Sequence, residues 1–155
     1  MGETARALER MDEAWGPLRG AADSLAPGGL EQLTAAGWTA KELLSHVAFW
    51  DEAALPVILY MLRGQDIPEG HYFGSGYRAD SNVWPSADVH NAREAGWGRE
   101  HSADEVVARL LRAHGSLVET VASLSDEEAA ARGGYLGDHC DHYREHAAEL
   151  QGLLG

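Results

Sequence analysis

The sequence predicts an all-α protein: a four-helix bundle with one long crossover connection. Three observations predict it. Apolar residues recur at spacings of three and four over four segments of roughly 20 residues each. No segment shows the strict alternation of a half-buried strand. A long tract rich in Gly, Asp, Ser and aromatics separates the second helical segment from the third. At 155 residues the chain reads as a single domain.

The first helix is expected from Thr4 to Leu25, with Leu8, Met11, Trp15, Leu18 and Ala22 on one face and Pro27-Gly28-Gly29 breaking it. The second should begin at Thr39, an N-cap whose capping box is completed by Glu42, with Trp38 as the apolar residue before the cap. Its stripe is Leu43, Val47, Trp50, Ala54, Ile58 and Met61. Pro56 should kink it, and Gly64 should stop it. The tract from Gly64 to His101, roughly 40 residues, is too long for a structureless loop in a compact domain. It is either a lid or holds a short helix, best placed at Asp88–Gly96. Ser102 and Glu105 form a second capping box, followed by Val107, Leu110, Leu111, His114, Leu117, Val118, Val121 and Leu124 on one face. A short acidic helix should start at Ser125 and end at Gly133-Gly134. The last helix should run from Tyr135 to Leu154 with Tyr135, His139, His142, Tyr143, His146, Leu150 and Leu153 as its stripe. A long crossover would set the second and third main helices parallel.

The charge balance narrows the partners. Lys and Arg number 12 and Asp and Glu 25, a formal charge of −13. That opposes docking on a nucleic-acid backbone or an anionic membrane, both of which need clustered cations. A small-molecule substrate is expected, with no nucleic-acid and no membrane partner. The single cysteine, Cys140, excludes an internal disulfide. No apolar leader follows Met1 and no run is long enough to span a bilayer, so a soluble cytoplasmic protein is expected.

The last helix carries the chemistry. His142 and His146 lie about 40° apart on the helical wheel, and His139 shares their stripe. An i,i+4 pair lets one helix give two imidazoles to one metal ion. A catalytic site wants a third protein ligand and an open position. His46, about 40° from Trp50 on the second helix, is the best candidate. Spacing alone leaves the ordinary alternative equally open: eight histidines in 155 residues produce such pairs by chance, and a lone inward histidine such as His114 is usually a hydrogen-bonded core residue. Cys140 lies about 160° from His142 and should face away from any ion. His71, His90 and His101, in the crossover or at its edges, should titrate ordinarily. His142-Tyr143-Arg144-Glu145-His146 also fits H-x-x-E-H, in which Glu145 would be a general base. The chain lacks the size and mixed architecture of those peptidases.

Two stretches resemble a known family. Gly37-Trp38-Thr39-Ala40-Lys41-Glu42-Leu43-Leu44-Ser45-His46-Val47-Ala48-Phe49-Trp50-Asp51 and Gly137-Asp138-His139-Cys140-Asp141-His142-Tyr143-Arg144-Glu145-His146 are similar to the paired signatures of the DinB-like superfamily (DinB/YfiT and maleylpyruvate isomerase-like proteins). Asp88-Val89-His90-Asn91-Ala92 resembles a D-x-x-N-A stretch of its ClbS-type members. The resemblance implies a four-helix bundle with a long crossover and a divalent transition metal, zinc or nickel, held by His46, His142 and His146. It implies Tyr72, Trp84 and Asn91 near the substrate. It leaves His139 as a fourth ligand, a donor behind the ligands or a residue lining the site. Glu42 and Asp138 are candidates to orient the ligands. The implied activity is thiol S-transfer, thiol-dependent isomerisation or hydrolysis of a small reactive electrophile, with a low-molecular-weight thiol as a candidate cosubstrate and a homodimer as the assembly. The alternative is a non-enzymatic dimeric metal-binding or scaffold protein.

Overall fold

A computed structural model describes residues 1–56, 58 and 87–155. Among the described residues six α-helices follow in order: α1 Glu3–Leu25, α2 Ala40–Pro56, α3 Ala87–Glu100, α4 Ala103–Ala122, α5 Asp126–Ala131 and α6 Gly133–Gln151. A 3-10 turn, Gly28–Glu31, follows α1. There is no named strand among the described residues; Leu33 and Thr39 form one isolated bridge before α2. The all-α bundle expected from periodicity is the observed fold.

The helix starts follow the sequence signals closely. Glu42 N–H donates to Thr39 Oγ1 at 3.1 Å and Thr39 N–H to Glu42 Oε2 at 3.3 Å, closing the box at α2. Ser102–Glu105 and Ser125–Glu128 close the same box at α4 and α5. Three boundaries differ from expectation, one of them the end of α6, at Gln151 rather than Leu154. The crossover helix is longer, running to Glu100. Gly133 and Gly134 open α6 instead of ending α5, because Leu136 N–H already reaches the Arg132 carbonyl at 2.9 Å. A first turn tolerates glycine, since its N–H groups have no partner within the helix. The expected continuation of α2 to Met61 and Gly64 lies outside the described residues.

One apolar face on each main helix builds the core. Met11, Leu18, Leu43, Leu44, Val47, Leu110, Leu117, Tyr143 and Leu150 are all fully buried. The second helix is more enclosed than one stripe predicts: Lys41, Glu42, Ser45, His46 and Asp51 are buried along with its apolar residues. The reason is position. α2 packs against α3 and α4, touches α6, and so exposes no full face. Gly98 of α3 permits that packing, because a Cβ there would lie 2.8 Å from Ser45 Cβ and 3.1 Å from Glu42 Cα.

Arg109 of α4 locks the three helices. Its guanidinium donates to Glu52 of α2 at 2.6 Å and to Glu94 of α3 at 2.8 Å, and lies 4.5 Å from the Trp97 ring. Arg109 also reaches Ser45 Oγ at 3.4 Å, Asp51 approaches His114, five residues further along α4, and Leu55 shares a hollow with Ser116. Residue numbers therefore climb together along α2 and α4, the parallel arrangement a long crossover imposes.

Candidate metal centre

α2 contributes His46 and α6 contributes His142 and His146, and the three rings meet. The Nε2 atoms of His46 and His142 are 2.9 Å apart, those of His46 and His146 3.1 Å, and those of His142 and His146 2.9 Å. His46 and His146 are buried and His142 partly so.

The outer nitrogens decide what the inner ones carry. Trp50 Nε1–H donates to Asn91 Oδ1 at 2.9 Å. An indole N–H can only donate, so that atom is the amide oxygen. The same oxygen is 3.0 Å from His46 Nδ1, which must therefore be the protonated nitrogen. His146 Nδ1 lies 2.7 Å from Glu149 Oε2, and a carboxylate likewise only accepts. His46 and His146 thus turn bare Nε2 lone pairs inward. At most one proton, on His142 Nε2, could be shared among three nitrogens. Protonating the rings further is opposed. Burial, then the repulsion a protonated His146 would exert, holds His46 down at about 4, and burial, then the same repulsion from His146 and His46, holds His142 down at about 3. Three neutral imidazoles with converging lone pairs match the donor set of a transition metal. Their separations fit one ion bound to each at ~2.0–2.1 Å.

The cluster lies in an open cleft of about 570 Å³. Trp38, Trp50 and Tyr135 line it beside the histidines, with Asn91, His139, Asp138 and Glu145. The Trp38 ring centroid is 5.3 Å from that of His46.

A second buried cluster lies directly beside the first. Asp51 is fully buried. It accepts from His139 Nε2–H at 2.6 Å and from the Tyr143 hydroxyl at 2.8 Å. His114 Nδ1–H donates to the Tyr143 oxygen at 2.9 Å, and the His114 ring stacks on Trp15 at 3.7 Å. Burial pushes the Asp51 carboxyl up, but His114, His139 and Tyr143 outweigh it and hold it below its ordinary range. Burial, then the Asp51 charge, pushes the Tyr143 phenol up.

The sequence-predicted residues divide accordingly. His46, His142 and His146 come together. Asn91 lines the cleft, and its structural role is to orient His46. His139 lines it too, tied to Asp51. Tyr72 and Trp84, like His71, lie outside the described residues. Glu42 does not back His46: it caps α2 and accepts from Arg99 at 3.0 Å. Asp138 opens on the cleft without bonding a ligand. Cys140 packs in the core, where burial raises its thiol. His90 departs from the expected ordinary titration. It is buried on α3, stacked 5.4 Å from Phe49, and burial lowers its pKa.

Glu149, Trp38, Trp50 and Asp51 were missed as site residues. Glu149 had a signal, three residues after His146 on one helix. Trp50 and Asp51 stand in the quoted stretch around His46, but periodicity reads Trp50 as core and gives Asp51 no partner.

The model of the DinB superfamily matches residues 5–150, and the chain belongs to that superfamily. No curated protein and no solved structure matches it at a significant level. No helix among the described residues is long and apolar enough to cross a membrane.

Proposed function

We propose that this DinB-superfamily protein is a metal-dependent enzyme whose centre is His46, His142 and His146, acting on a small reactive electrophile. The observation that carries the reading is the convergence of three Nε2 atoms, at least two of them unprotonated, in an open cleft. A bound zinc or nickel ion would supply Lewis-acid chemistry there, lowering the pKa of a water or thiol brought to it. The chain's own residues do the rest. Asn91 and Glu149 hold the protons on His46 Nδ1 and His146 Nδ1, so both rings keep their inward orientation. Trp38 and Trp50 wall the cleft. The reaction class that suits such a cleft is thiol transfer, thiol-dependent isomerisation or hydrolysis.

Elemental analysis of protein purified without a histidine tag tests the centre. One zinc or nickel per chain is expected, with loss in His46→Ala and in His142→Ala. Absence of metal after supplementation, or full stoichiometry in either variant, removes the assignment. A panel of mycothiol, bacillithiol and glutathione against a chlorinated nitroarene tests the chemistry. Turnover with a thiol supports transfer, and inertness with all three favours hydrolysis or the non-enzymatic metal-binding alternative.

A further inference from the structure

The cleft has a charge as well as a shape. On α6, Asp138, His142, Glu145 and Glu149 follow at spacings of four, three and four, so one helical face presents three carboxylates around the inward histidines. Glu149 is engaged by His146. Asp138 and Glu145 line the cleft, exposed, with no hydrogen bond or ion pair to any described residue. No Lys or Arg lines the cleft among the described residues. The other walls are the partly exposed rings of Trp38, Trp50 and Tyr135. The Trp50 N–H is taken by Asn91, and its partly exposed ring meets Phe49 edge-on with the centroids 5.1 Å apart.

A site that anchors a carboxylate or phosphate places cations or a free helix N-terminus at it. This cleft does the opposite, and joins two free carboxylates to three aromatic rings, the combination that recognises an organic cation. We propose that the walls of the cleft away from the three histidines favour a small ligand with a flat apolar body and a cationic end held by Asp138 and Glu145 over a carboxylate- or phosphate-bearing ligand of the same size. This rests on the cleft being the reaction site. It narrows the substrate class to cationic or amine-bearing electrophiles.

NMR titration of the full chain, as purified and after chelator treatment, with benzyltrimethylammonium and with phenylacetate as the matched anion tests the proposal. In the chelator-treated chain the cation should bind at least about tenfold more tightly than the anion. In the double variant D138N/E145Q that ratio should fall to about twofold or less, with metal stoichiometry unchanged. Equal or tighter phenylacetate binding, no binding of the cation, or a preference that survives the double substitution overturns it. A chain that takes up no metal but keeps the preference sinks the metal centre and supports the charge selection. A chain with one metal and no preference does the reverse.

Discussion

Two buried polar clusters lie side by side between α2 and α6, and they are built on opposite principles. Around Asp51, donors match acceptors: His139 and Tyr143 both donate to one carboxylate, and His114 donates to the Tyr143 oxygen. Around His46, acceptors face acceptors. Asn91 and Glu149 draw the protons outward, and the inner nitrogens are left for something positive to satisfy. Burial is similar in the two places, so burial does not separate a structural network from a site. Proton bookkeeping does. A network complete within the chain holds the fold together, and one that lacks a cation is a place to bind one.

The largest expected effect breaks the complete network. Asp51→Ala leaves the Tyr143 hydroxyl and His139 Nε2 unpaired in the core and should cost about 3–5 kcal/mol of folding stability, measured by urea unfolding. His142→Ala, compared in chelator-treated protein, should change stability by less than about 1 kcal/mol, since it relieves a crowding of lone pairs. If His142→Ala proves as damaging as Asp51→Ala, the two clusters are alike and the contrast fails.

A smaller effect is expected behind the ligands. Asn91→Ala frees the His46 ring and should weaken zinc binding by about 10–100-fold without unfolding the chain. Competition with a chromophoric chelator reads it. An unchanged affinity would mean that packing against Trp38 and Trp50 suffices to hold His46.

A further effect is expected in acid, in the metal-free chain. His46 and His142 sit at about 4 and about 3 in the folded chain against an ordinary 6.5. Between those values the unfolded chain binds the extra protons, so stability of the metal-free protein should fall as pH drops from 6.5 toward 4. Asp51 is lowered too. Its contribution is present above the ordinary carboxylate value and is lost only below it. In chelator-treated protein the limb between pH 6.5 and 4 should therefore flatten in a His46→Ala/His142→Ala double variant and persist in Asp51→Asn.

Much of the fold was legible without coordinates. Thr39–Glu42 and Ser102–Glu105 mark helix starts by local chemistry, and a helix start is a local event. The stripe Met11, Trp15, Leu18 marks a buried face for the same reason. The pair His142 and His146 is visible because one turn of helix places i and i+4 together. Beyond one helix the sequence falls silent. That Asn91 of α3 would accept from His46 of α2, that Asp51 would be sealed under His139 and Tyr143, and that Gly98 would lie against Ser45 are contacts across 45 or more residues. Their geometry depends on how the helices dock.

The sequence alone therefore determined the helices, their buried faces and the two-histidine turn of α6, because periodicity and capping act within a few residues. Only the tertiary structure decided which buried histidines have partners and which do not. A proton on a ring nitrogen is placed by the group across from it, and here those groups are Asn91, Glu149 and Asp51, two of them supplied by other helices.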